Sequence, residues 1–301
     1  MGGSPQHIDD LIRLMALPDP GLYSIASHRP FLEDLGAQLL ASADRDDPLA
    51  LSRMTVLLPT RRACRALQET FLRLSDGRAL VLPRMIPIGD IDEDELQITD
   101  IDVGAGQDSA EIPPAIPDLR RRLLLAQELQ HRLGDGAHAL TVDQATELAG
   151  ELARLLDQVQ TERLDFSALG GLVPDDYARH WQQTLEFLQV LTDVWPQRLA
   201  DDGVVDPAAR RNLLLAARTN GWKENPPCDP VIAAGSTGSI PATADLLAVV
   251  ADLPAGYVVL PGLDRVLDDH AWGKVDATHP QFGLHQLLGR LDRTRAQVRE
   301  W

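Results

Sequence analysis

Cysteine is nearly absent: Cys64 and Cys228 are the only two in 301 residues. Two cysteines cannot build a disulfide framework, and they fit a reducing, cytoplasmic compartment. No apolar run reaches the roughly 18 residues that span a bilayer, so no membrane partner is expected. The N-terminal MGGSPQHIDDLIRLMALPDP has no basic flank followed by an apolar core, and no secretory signal is expected from it. Lysine is just as rare, with Lys223 and Lys274 the only two among 28 basic residues. An arginine-rich coding bias accounts for that as well as any function does. What is plentiful is acid. The formal net charge is -17, and a field of that sign opposes phosphate-bearing partners. Distribution matters more than the sum, however. The acid concentrates in GDIDEDELQITDID at 89–102, while Arg61, Arg62, Arg65 and Arg73 fall close together.

The 44% hydrophobic content suits a globular protein with a substantial core, and the length fits two domains. GLYSIA (21–26) reads as a short buried strand. A helix follows it, with Pro30 in the first turn and Leu32, Leu35, Leu39 and Leu40 on one face. The strand TVLLP precedes a helix over 61–74. That helix gathers Ala63, Leu67, Thr70, Phe71 and Leu74 on one side and the four arginines on the other. The apolar run ALVLP (79–83) is the expected third strand. This β-α-β-α-β order is that of a parallel sheet covered by helices.

Residues 89–117 read as an acidic, Gly- and Pro-rich loop. A helical region follows. PDLRRRLLLAQELQHRL is amphipathic, and Thr141 with Gln144 makes a capping box ahead of LAGELARLLDQVQTERL. DDYARHWQQTLEFLQVLTDVW predicts a third helix. Asp206-Pro207 opens a fourth, closing near Gly221. Strands return with DPVIAAG (229–235) and GYVVLPGLD (256–264). Between them lies a helix started by Ser239-Ile240-Pro241, and THPQFGLHQLLGRLD (278–292) predicts a last helix with Pro280 in its first turn. The fold class expected is α/β, a parallel-sheet domain with an all-α insertion. The α/β parts are 1–115 and 229–301, and the insertion is 116–228. The ending at REW suggests a piece of something longer.

Four stretches invite chemistry. A P-loop wraps phosphates with glycine amides and neutralises them with a lysine. SHRPFLEDL after the first strand has neither, and Pro30 removes an amide. His28 and Arg29 can meet an anion there, or simply cap a solvated helix. At the second strand, Thr60 and the following amides can hold a phosphate with Arg61, Arg62 and Arg65 in support. Equally, those arginines can be the wet face of an ordinary helix. The acidic run at 89–102 offers carboxylates for magnesium, but in no fixed arrangement. In AAGSTGSIPAT the strand runs into Gly235, Ser236 and Thr237, a second anion-friendly turn, where an ATPase would carry an acidic pair. No Gly-x-Ser-x-Gly elbow and no Cys/His metal spacing are present. Cys64 reads as a small buried residue.

TVLLPTRRACRALQETFLRL is similar to a conserved block of superfamily 1 helicases, in which a strand ends in a Thr-bearing turn before a basic helix. More closely, the chain resembles the N-terminal helicase-like region of the AddB family, the non-motor subunits of bacterial AddAB helicase–nucleases. The residues carrying this are VLLPTRRACRAL with LPRMIPIGDIDEDEL, ERLDFSALGGLVPDDYARHWQQTLEFL, VIAAGSTGSIPATADLLAVVADLPAGYVVLPGLD and THPQFGLHQLL, in that order from about residue 20 to the end. The resemblance implies a degenerate RecA-like domain, split by a helical insertion and without ATPase chemistry of its own. Its implied partners are single-stranded DNA and an AddA-like motor subunit, in double-strand break repair with a role in recognising the Chi signal. Thr60, Arg61, Arg62 and Arg65 match the DNA-contacting turn. His28, Arg29, Gly235, Ser236 and Thr237 lie where an active helicase holds its nucleotide and magnesium. The family's iron–sulfur cluster and magnesium belong to a nuclease domain further downstream, so no cofactor is expected in this segment. Two other readings stand beside this one. One is a stand-alone α/β enzyme or anion-binding protein using the turns near Thr60 and Ser236. The other is a pure protein–protein scaffold.

Overall fold

A computed structural model describes residues 17–43, 47, 49–89, 112–133, 140–164 and 190–301. In chain order the elements are β1 Gly21–Ile25, α1 Phe31–Ser42, β2 Thr55–Leu58, α2 Arg61–Leu74, β3 Arg84–Pro87, α3 Asp118–Leu133, α4 Val142–Thr161, a π-helical turn Val190–Val194, α5 Trp195–Asp201, α6 Pro207–Glu224, β4 Val231–Ala234, α7 Pro241–Asp252, β5 Gly256–Pro261, α8 Asp269–Trp272, α9 Phe282–Arg290 and β6 Arg299–Glu300. The described residues of 1–106 with 218–301 make one compact unit, and those of 107–217 make another. From the sequence, the seams were expected at 115/116 and 228/229.

The first unit is α/β. Among the described residues six strands form one sheet in the order β3-β2-β4-β5-β1-β6, and every pairing is parallel. This is the parallel sheet expected of a RecA-like domain. A parallel sheet is buried on both faces, so its strands read as unbroken apolar runs rather than alternations. β4 (VIAA) and β5 (GYVVLP) have that character and are buried almost throughout. On one face Tyr23, Ile25, Val56, Leu58, Ile232, Ala234, Tyr257 and Val259 pack with Leu35 and Leu39 of α1 and with Cys64, Leu67 and Phe71 of α2. α7 packs against β4, β5 and β1 and buries seven residues, Leu246, Leu247 and Val250 among them. Full burial of each such aliphatic side chain contributes roughly 1.5–3 kcal/mol. The lone polar residue of β1, Ser24, is only 3% exposed. Its hydroxyl donates to the Leu260 carbonyl and accepts the Leu263 amide, so its burial is compensated.

Three boundaries depart from the sequence reading. ALVLP does not form the third strand; the strand is the next stretch, RMIP. The Arg84 amide donates to the Met54 carbonyl at the start of the β2 pairing, and Pro83 has no N–H with which to extend it upstream. Helix α6 runs through Gly221 to Glu224. Pro226 and Pro227 follow it, and the backbone before a proline is pushed out of the helical region. Pro280 stands outside the last helix, which starts at Phe282. The helix expected over 175–195 lies mostly outside the described residues, as does the acidic run beyond residue 89.

The second unit is helical. Its core joins Ile116, Leu125 and Leu129 to Ala145, Ala149, Leu152 and Leu156 of α4, closed by Leu191, Trp195 and Leu199. The Thr141–Gln144 capping box forms as expected. A buried ionic group sits within this unit. Arg121 and Asp206 are each 1% exposed and their side chains approach to 2.8 Å. Asp206 also accepts from the Trp195 indole and the Gln160 amide, and Arg121 reaches Asp157 and the Ala153 carbonyl. Removing one member of a buried pair strands the other charge. Asp206→Ala is therefore expected to destabilise this unit by about 3–5 kcal/mol, read as a lower denaturant midpoint followed by tryptophan fluorescence.

Candidate functional site

All six strands point the same way, so their carboxyl ends share one rim, where open α/β sheets bind ligands. The rim carries two recesses. The first, about 220 Å³, is walled by Pro59 after β2, Ile88 and Gly89 after β3, and Gly235, Ser236, Thr237, Ser239, Ile240 and Thr243 around the β4–α7 turn. The second, about 850 Å³, lies over β1, β5 and β6; Ser27, His28, Asp264, Arg265, Gln281 and Glu300 are among its lining residues.

Close backbone approaches shape the first recess. The Gly89 amide donates to the Pro59 carbonyl, and a Cβ on Gly89 would lie 2.4 Å from that oxygen. Gly235 has φ +76°, and a Cβ there would meet the Phe31 ring at 3.2 Å. The strand ladder also continues past the strand ends. The Gly235 amide donates to Val259 O, and the Gly262 amide to Ile25 O. The three rim glycines thus spend their N–H groups inside the sheet and have none to offer a phosphate, which is the chemical opposite of a P-loop. At the β4–α7 turn the Ser236 hydroxyl accepts the Gly238 amide.

Thr60 is the N-cap of α2, and its Oγ1 accepts the Ala63 amide at 3.1 Å. Arg62 and Arg65 are exposed and Arg61 is half-buried. Spacings of three and four residues put these on neighbouring positions of one helical face. Arg73 is drawn away to Glu33 and Thr70. The turns at Thr60 and Ser236 follow paired strands, β2 and β4, so the structure brings them to the same part of the rim. It does not bring His28 and Arg29 there. His28 lines the second recess. Arg29 pairs with Asp34 at 2.6 Å and with Glu300 at 3.6 Å.

The second recess is framed by a braced loop. Gln281 donates to the Gly262 carbonyl and accepts the Asp264 amide. The Asp264 carboxylate accepts the Val266 and Leu267 amides, and these hydrogen bonds, from Leu267 first, hold it below the usual carboxylate range. Arg295 lies 4.7 Å over the Trp272 ring and donates to the carbonyls of Asp264 and Leu267. The Asp264 carboxylate is thus absorbed into its own turn. Sequence reasoning missed Gln281 and Thr243 as rim residues. Thr243 closes the AAGSTGSIPAT stretch but reaches the rim from the first turn of α7, and no local pattern marks Gln281, which comes from the segment just before α9.

None of the described residues lining the first recess is titratable, so those side chains can bind but not transfer protons. Among the described residues no group of three or more His, Cys, Asp or Glu side chains is placed to hold a metal ion, and no helix is long and apolar enough to cross a membrane. The chain matches no protein-family model and no curated protein.

Adding a methyl at the rim glycines tests this geometry. Gly89→Ala is expected to cost about 1–3 kcal/mol through overpacking. Gly235→Ala is expected to cost about 1–2 kcal/mol through its left-handed backbone. Both are measured by chemical denaturation.

Proposed function

We propose that this chain is a catalytically silent, helicase-like α/β protein that binds single-stranded DNA along the rim of its sheet. It serves as the N-terminal part of a non-motor subunit in a cytoplasmic double-strand break repair complex resembling AddAB. The observation that carries the reading is the pairing, at one part of the rim, of an arginine-bearing helix N-terminus with a hydroxyl-lined recess that has no titratable side chain among its described lining. Thr60 sets the first turn of α2, and Arg62 and Arg65 stand exposed on it. Such a surface suits a phosphate backbone, whose charges are met by arginines and helix amides. The overall acidity opposes DNA at long range, so contact is confined to this local basic turn and weakens steeply with salt. An AddA-like motor is the partner that would supply ATP hydrolysis. Chi recognition, the iron–sulfur cluster and the nuclease magnesium belong to the assembled complex in this reading.

One observation favours a second reading. Because the turns near Thr60 and Ser236 meet at one recess, a phosphorylated small molecule can be held there without DNA. The test is single-stranded DNA binding by fluorescence anisotropy across a salt series. Each phosphate contact contributes about 0.7 to the slope of log affinity against log salt. Replacing Arg61, Arg62 and Arg65 by Gln is therefore expected to weaken binding and to flatten that slope by about 2. Binding and slope equal to those of the parent chain would remove this helix from the interface. DNA binding absent from the parent chain itself, with a phosphorylated compound bound instead, would favour the small-molecule reading.

A further inference from the structure

The first recess holds a feature that packing does not account for. Thr243, in the first turn of α7, is 4% exposed, lines the recess, and its Oγ1 is buried with no hydrogen-bond partner. Burying a hydroxyl without a partner is unfavourable, and an Ala or Val would fill the position without that penalty. The same turn is the N-terminus of a 12-residue helix with Pro241 at its start. The first amides of a helix lack intrahelical acceptors and carry the positive end of its dipole. Thr237 and Ser239 add hydroxyls to the wall. The Thr237, Ser239 and Thr243 hydroxyls can donate, and no carboxylate lies among the described lining residues to repel an anion.

We propose that this recess binds one tetrahedral oxyanion through the Thr243 hydroxyl and the α7 N-terminus. The described lining carries hydroxyl donors and no charged side chain, so the site recognises its anion by tetrahedral oxygen geometry rather than by charge count. Sulfate and a phosphodiester group share that geometry. The occupant is either an inorganic ion or one backbone phosphate of a nucleic acid. The inference stands on the recess itself and does not rest on DNA binding by α2.

The experiment uses the full chain, with Thr243→Val and Thr243→Ser as variants. Valine keeps the shape and deletes the hydroxyl; serine keeps the hydroxyl. In sodium chloride, Thr243→Val is expected to melt no lower than the parent chain, because no hydrogen bond is lost. Exchanging chloride for sulfate at matched ionic strength should raise the parent's melting temperature by about 2–4 °C. Sulfate also stabilises folded chains without a site, by exclusion from their surface, so Thr243→Ser should show the parent's rise and Thr243→Val a distinctly smaller one. The proposal is overturned by an absent sulfate-specific rise in the parent, by an equal rise in Thr243→Val, or by a lower melting temperature of Thr243→Val in chloride. An anisotropy arm then separates the sources. A loss of single-stranded DNA affinity on the order of tenfold in Thr243→Val, with sulfate competing in the parent, assigns the site to a backbone phosphate. Unchanged DNA affinity beside a reduced sulfate response assigns it to a free ion. The arginine replacements in α2 test the DNA reading separately, since they should leave the sulfate response in place.

Discussion

The α/β unit depends on one constraint: every strand of its sheet runs in the same direction. Parallel strands need crossover connections, and those crossovers place helices over both faces. The inner strands must then be apolar on both sides, as β4 and β5 are. The same constraint gathers all the strand-to-helix turns on one rim. Four residues of β4 separate the sheet's interior from the turn at Gly235, and the turn's position follows from the strand's register with β2 and β5. Chemistry on this protein has one favoured place, and hydrogen bonding in the sheet determines which groups remain for it.

That competition explains why the rim does not resemble a nucleotide cradle. A phosphate-binding loop exposes its amides. Here Gly89, Gly235 and Gly262 turn theirs back into the ladder, and the carboxylate of Asp264 and the amide of Gln281 brace a loop. What remains for a ligand is carried by side-chain hydroxyls, by helix N-termini and by the exposed arginines of α2. The recess beneath Pro59 combines the first two of these, and the third stands one turn away.

The helical unit shows how little composition says about where charge sits. The arginines read from sequence as a solvated, bias-driven feature. Many are exposed, yet Arg121 is held in the core by Asp206, a residue 85 positions later that the sequence presents as the opening of a helix. Asp206 does begin that helix through its carbonyl, which accepts the Arg210 amide. Its carboxylate is engaged elsewhere. A long-range ionic group of this kind leaves no periodic trace.

Local patterns carried much of the architecture. The helix over 61–74, its Thr60 cap, the Thr141–Gln144 capping box, and strands within GLYSIA, TVLLP, DPVIAAG and GYVVLPGLD were all legible, because short-range sterics and side-chain periodicity determine them. The strand at 84–87 was not, because ALVLP has the more apolar composition and only pairing with β2 selects RMIP. The candidate residues were legible one by one, whereas their grouping was decided by strand order. That order sets Thr60 beside Gly235–Thr237, puts His28 in a different recess and brings in Thr243. Residue type and spacing determined which elements form and which side chains can bind an anion. Only the tertiary structure decided which of them share a cavity and which are already bonded, because those outcomes depend on hydrogen bonds and packing between segments far apart in the chain.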